Sequence, residues 1–281
     1  MRRNFRAGVS LVELLVVVAI IGTLIALVLP GIQAARESAR RAKCHSNLRQ
    51  LGIAMALHAN AQGAFAVGCI GYRGNFSVSP PVKARYISWN VQLLPFLEEQ
   101  ELANSFDFSL PSYDAANIPA AGTSISLFLC PSTNEVELRN PEGLWKGSSF
   151  TDYAGIYGVE GLTRVRQSDG SPQTLADASL GVLLYEESIA PKQVVDGLSK
   201  TASVAETVIR RRTECEWVNG QNIFAHEEST PINVRRDAGN EIGSPHPGGA
   251  AVVFCDARVE FLVESIDQAV LNALLTKAGG E

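Results

Sequence analysis

The run from Val9 to Leu29 is 21 residues long and carries one ionisable side chain, Glu13. Wound as an α-helix it is roughly 31 Å long, about one hydrocarbon core thick. Two other kinds of segment share such a composition. A secretory signal has a shorter apolar stretch that ends in a small-residue cleavage site, whereas here the small residue, Gly8, precedes the run. A core helix of a soluble protein is rarely this apolar on every side. The segment is therefore expected to span a membrane, with the lipid bilayer as its solvent. The short leader ahead of it holds Arg2, Arg3 and Arg6 and no acid.

Glu13 is the anomaly within that span. A carboxylate in hydrocarbon costs several kcal/mol unless it is paired or reaches the interface. One reading places Glu13 at the headgroup level, where it snorkels. The other pairs it with a cation from outside the segment, such as the N-terminus of a neighbouring chain.

The whole chain has a formal net charge of −5, and loss of the leader arginines leaves 21 basic against 29 acidic side chains, or −8. Neutralising a phosphate backbone needs a strongly basic face, so no nucleic-acid partner is expected. Five cysteines, Cys44, Cys69, Cys130, Cys215 and Cys255, lie far apart with no C-x-x-C pair. That spacing argues against a structural zinc site or a thioredoxin-type motif. No metal or cofactor is expected. Outside the cytoplasm one or two disulfides are allowed, with connectivity left open by the sequence.

The segment Gly8-Val-Ser-Leu-Val-Glu-Leu-Leu-Val-Val17 resembles the N-terminus of type IV prepilins and type II secretion pseudopilins. The resemblance implies cleavage after Gly8 by a membrane-embedded prepilin peptidase, which is also the methyltransferase that acts on the new N-terminal residue, Val9. It implies that Glu13 binds the N-terminal amine of a sibling pilin-like subunit during assembly. Phe is commonest where this chain has Val9. Orientation follows from the same resemblance. A bare count of basic residues would favour the far side, with Arg36, Arg40, Arg41, Lys43 and Arg49, as cytoplasmic. A leader that must meet a peptidase at the cytoplasmic surface implies the reverse. The expected topology is single-pass in the cytoplasmic (inner) membrane, N-terminus inside and C-terminal domain extracytoplasmic. The basic stretch would then face anionic headgroups on the outer side.

Four segments follow: a leader over 1–8, a transmembrane helix over 9–29, its extracytoplasmic continuation over 30–61 and a globular domain over 62–281. Pro30 predicts a kink or brief break. Beyond it Cys44, Leu48, Leu51, Met55, His58 and Gln62 alternate at spacings of four and three, a stripe that would pack on the globular domain. Residues 63–80 read as loop. Trp89–Leu102 suggests a short helix with Pro95 near its start. Ser124–Leu129, Gly181–Tyr185 and Ser203–Ile209 read as strands. Ala250–Phe254 and Val259–Val263 predict a hairpin, and Ser265 with Gln268 predicts a capping box for a last helix carrying Leu271, Leu274 and Leu275. The fold class is α+β, a long N-terminal helix packed on a largely antiparallel sheet.

Pieces of the domain recur in a second resemblance. They are Cys44-His-Ser-Asn-Leu-Arg-Gln-Leu-Gly52, Trp89 with Leu94-Pro95, Cys130-Pro-Ser132, Asp152-Tyr-Ala-Gly155, Asp196-Gly-Leu-Ser-Lys-Thr201 leading to Glu206, His246-Pro-Gly-Gly249 followed by Asp256, and Thr276 to Gly279-Gly-Glu281. In order along nearly the whole chain, they resemble prepilin-type bacterial proteins with the domain of unknown function numbered 1559. His246, Gly248, Gly249 and Asp256 correspond to its H-x9-D-G signature. Ala257 replaces the last glycine, at a turn expected to be type I′, where alanine's positive φ costs roughly 1 kcal/mol.

Catalytic patterns are weak. His246 and Asp256 lack a nucleophile elbow and read as structural, His246 bonding Asp256 or a nearby carbonyl. His226-Glu227 has Thr230 where a zinc protease needs a second His. Gly155, Gly158 and Gly161 have the wrong spacing for a nucleotide loop, and Asp107, Asp114, Asp152 and Asp169 form no calcium run. No enzyme is expected. The chain reads as a pilin- or pseudopilin-like structural protein, assembling into a type II secretion or type IV pilus-like filament. The alternative is a membrane-tethered module binding a polysaccharide or surface protein, with Tyr72, Phe76, Tyr86, Trp89, Tyr113 and Trp145 as its aromatic surface.

Overall fold

The computed structural model describes residues 11–72, 84–133, 139–161, 177–208, 215–234 and 241–279. Gly8, Val9, Phe76, Asp169, Ile209, Gly280 and Glu281 lie outside these residues. Two units are compact by themselves, Met1–Ala42 and Lys43–Glu281.

Helix α1 runs from Leu11 to Gln62. A kink or brief break was expected at Pro30; the helix runs through it without a break, because proline removes one ladder bond while its fixed φ is already helical. From Leu11 to Ile32 every large apolar side chain is at least 46% exposed, the composition of a membrane span without a protein core around it. The pattern changes in the second unit. There Cys44, Asn47, Leu48, Leu51, Gly52, Ala54, Met55 and Ala59 are buried, the i, i+3, i+4 stripe of an amphipathic helix.

The partner of that stripe is a five-stranded sheet. Its strands are β3 (Tyr153–Glu160), β4 (Ala202–Glu206), β5 (Ile223–Glu227), β6 (Gly249–Phe254) and β7 (Val259–Val263), in the order β5-β3-β4-β6-β7. All neighbours are antiparallel except the β3–β5 pair, so the largely antiparallel α+β expectation holds. A small pair, β1 (Cys69–Ile70) with β2 (Ile87–Ser88), precedes it. Both faces of the main sheet are covered. Val204, Ala251 and Val253 face the cluster that holds Leu48, Leu51, Met55 and Trp89. Ala154, Ile156, Ala205, Val252 and Phe254 face a second cluster closed by Leu271 and Leu275 of the C-terminal segment. A bulge in β4 between Ala202 and Val204 resets its alternation, which leaves Val204 and Glu206 directed at the α1 side. Gly52 lets α1 approach closely: a Cβ there would sit 2.5 Å from Val253 Cγ2 and 2.9 Å from Ala257 Cα.

Several local expectations are corrected. Ser124–Leu129 is not a strand; Ser126–Phe128 is a 3-10 turn, with Phe128 driven into the core. Gly181–Tyr185 forms only isolated bridges, a buried run satisfied by loop hydrogen bonds rather than a ladder. The Trp89–Leu102 helix is split into α2 (Trp89–Leu93), a 3-10 turn over Leu94–Phe96 and α3 (Gln100–Asn104), since Pro95 cannot continue the α2 ladder. A further short helix, α4, covers Ile118–Ala121. The last helix, α5 (Gln268–Leu274), is capped by Asp267, whose side chain accepts from Ala269 N and Val270 N, in place of Ser265.

The β6–β7 hairpin forms as expected, but its turn is not type I′. Ala257 N donates to Phe254 O, and Ala257 alone in the connection has positive φ, +66°. That is a type I turn followed by a left-handed residue. Alanine there costs roughly 1 kcal/mol relative to glycine. Ala257→Gly is therefore expected to raise unfolding stability by roughly 0.5–1 kcal/mol, read as a higher urea midpoint with unchanged m-value; an equal or lower midpoint would refute the strain.

Candidate functional site: a buried cluster of two cysteines, a histidine and a glutamate

Glu13, in the first turn of α1, is exposed in its own unit. The most concentrated chemistry among the described residues lies elsewhere, in the globular unit. Cys44 from α1, Cys130 from the loop after the Ser126–Phe128 turn, Glu206 at the end of β4 and His246 from the loop before β6 are all buried. Their ligand atoms lie within 4.8 Å of one another.

Each residue is placed by local structure. Cys44 opens the buried stripe of α1, and Asn47 one turn on donates to Leu129 O at 3.0 Å, tying the helix to the residue before Cys130. The Cys130-Pro-Ser turn closes on Asp152, whose Oδ2 accepts from Cys130 N at 2.6 Å and from Thr133 Oγ1 at 3.0 Å. The next residue, Tyr153, pairs with Glu206 across β3 and β4, so both side chains share the α1 face. Glu206 Oε2 accepts from Ala251 N at 2.8 Å. The His246 loop ends at Gly248, with φ +87°, and at Gly249, where a Cβ would meet Leu262 O at 2.0 Å. Both glycines are thus required to bring His246 inward.

Sulfur, imidazole and carboxylate then meet. Cys130 Sγ lies 3.5 Å from His246 Nε2, and His246 Nε2 lies 3.5 Å from Glu206 Oε1. The two neighbouring sulfurs act on each other, raising the Cys44 thiol well above its ordinary value and lowering Cys130, with His246 adding to the lowering. Burial raises the Tyr153 phenol, beside Cys44. Glu206 Oε1 is buried without a hydrogen-bond partner.

The expected pairing of His246 with Asp256 does not occur. The two stand at opposite ends of β6, six residues or about 20 Å of strand apart. Asp256 is exposed in the hairpin turn and accepts from Arg258 N. Spacing arguments missed the cluster because four distant segments build it. The usable signal was that Cys44, Cys130, Glu206 and His246 each sit in one of the recurring pieces. His226 is structural: Nε2 lies 2.8 Å from Thr230 O, and burial lowers its pKa to about 4. Trp89 and Tyr86 are buried, while Tyr72, Tyr113 and Trp145 are half-buried against the same core.

Against known families, residues 33–269 match the one described as "Protein of unknown function (DUF1559)", and residues 3–29 match the prokaryotic N-terminal methylation motif. The chain belongs to the DUF1559 family. It is a prepilin-like protein: a methylation motif at the N-terminus leads into an apolar anchoring helix. No curated protein and no solved structure matches it.

Asp152 carries the local prediction. Its carboxylate fixes the Cys130 turn through two hydrogen bonds, each to a charged acceptor worth about 1.5–3 kcal/mol. Asp152→Ala is expected to destabilise the chain by about 3 kcal/mol in urea denaturation; a loss below about 1 kcal/mol would show that the turn holds itself.

Proposed function

We propose that this DUF1559 member is a pilin- or pseudopilin-like structural subunit. It is cut after Gly8 by prepilin peptidase, methylated at Val9 and inserted once in the inner membrane with its globular unit outside. It then packs with sibling subunits into a filament of the type II secretion or type IV pilus kind. The observation that carries this reading is the first unit of α1, apolar and exposed throughout the span, with one carboxylate at its first turn. Such a surface is soluble in lipid or against like helices, and a carboxylate there favours docking where a cation meets it. The role is one of assembly, not catalysis.

Intact mass and N-terminal sequencing of the protein from its native membrane are expected to give a chain beginning at N-methylated Val9; an intact Met1 would refute processing. Glu13→Ala is expected to leave cleavage and insertion unchanged while sharply reducing the sheared filament fraction. Normal incorporation of that variant would reject the assembly role.

A tethered binding module is the second reading. Its aromatic surface would be a file of rings, Tyr157–Tyr185 at 5.2 Å between centroids, Tyr185–Tyr72 at 4.5 Å, Tyr72–Tyr86 at 5.6 Å and Tyr86–Trp145 at 6.0 Å, but Tyr86 is buried and the others are only half-exposed, which weakens this reading. Polysaccharide retained by the full chain and released by Trp145→Ala would favour it; no retention would remove it.

A further inference from the structure

We propose that Cys44, Cys130, Glu206 and His246 bind one divalent metal ion of the zinc class, in a closed structural centre that fixes the second half of α1 to the sheet inside the globular unit. The inference is independent of filament assembly. Tetrahedral zinc takes sulfur at about 2.3 Å, imidazole nitrogen at about 2.0–2.1 Å and carboxylate oxygen at about 2.0–2.2 Å. Around one ion these lengths put sulfur and nitrogen about 3.6 Å apart and nitrogen and oxygen about 3.3 Å apart. The sulfur–nitrogen and nitrogen–oxygen separations here are 3.5 and 3.5 Å. The second of these is too long for a good N–H···O bond, yet it suits two ligands of a common ion.

The chemistry of the set agrees. Two thiolates, one imidazole and one carboxylate are the donors that select zinc over the oxygen-seeking magnesium and calcium. Glu206 Oε1, buried and without a hydrogen-bond partner, is the independent sign that something is to be bound, because burying such an oxygen unsatisfied costs stability. The other Glu206 oxygen is held by Ala251 N and the Cys130 turn by Asp152, outer contacts of the kind that orient metal ligands. Four protein ligands leave no open position, which marks a structural centre rather than a catalytic one.

The test uses the full chain in detergent, extracted with thiols protected, offered Zn²⁺ or Co²⁺ and freed of excess. About one metal per chain is expected by elemental mass spectrometry. The cobalt form should show thiolate charge transfer and the intense visible bands of a tetrahedral ion. Chelation should lower the melting temperature of the unmodified chain, and Zn²⁺ should restore it, so the result does not depend on a variant folding. Cys130→Ser and His246→Ala should each weaken Zn²⁺ binding by more than the roughly ten- to hundredfold that loss of an outer-shell partner costs. Cys255→Ala, outside the cluster, should retain the metal. A folded, reduced chain that retains neither ion would overturn the proposal. So would metal that both ligand variants keep, or a Cys44–Cys130 disulfide in protein mapped directly from membranes.

Discussion

A five-stranded sheet buried on both faces needs cover on each, and the second half of α1 supplies one of them. Among the described residues, Val204, Ala251 and Val253 have no other long element to close their face, and Gly52 brings the helix axis in against Val253 and Ala257. Close approach of this kind is unforgiving, because packed interiors tolerate neither voids nor extra atoms. It also decides where the polar ends of the strands go. Tyr153 and Glu206 are register partners on the same side as Cys44. The packing that buries the apolar stripe therefore buries a carboxylate and a phenol with it.

One helix thus serves two solvents. Its first unit is apolar in every direction along the span and has no protein core around it. Its second carries a single buried stripe, with mostly polar residues opposite and Ile53 and Leu57 exposed among them. The hydrophobic pattern changes between them from continuous to periodic, and the compact globular unit starts at Lys43, one residue before the first member of the cluster.

Legibility in the sequence followed the range of the interactions. The long helix, its stripe and the β6–β7 hairpin depend on neighbours a few residues away, and their periods were readable. Ser124–Leu129 looked like a strand because its apolar run was short and bounded by a turn, yet Phe128 reaches the core from a 3-10 turn. Ser265 and Asp267 both satisfy the composition of an N-cap, and only the entry angle of the chain selects Asp267. Linking His246 to Asp256 through their sequence interval failed for a simple reason: a strand between two residues separates them. The residues His246 does meet come from β4 and from a loop 116 positions earlier, and no local rule connects them.

The contrast between the buried cluster and the carboxylate of the span bears on what kind of protein this is. An active site keeps a position open for substrate and sets groups of unlike proton affinity around it. Here the ligand atoms of Cys44, Cys130, Glu206 and His246 face one another, all buried, with Tyr153 beside them. On the proposed reading these donors fill a four-coordinate ion, the arrangement of a structural centre. Glu13 is the opposite case, a carboxylate exposed on an apolar helix. The cluster would hold a domain together, and Glu13 would join the subunit to its neighbours. On the proposed reading the chain divides these tasks, a rigid body built around the cluster and an apolar span presented to the bilayer or to like helices.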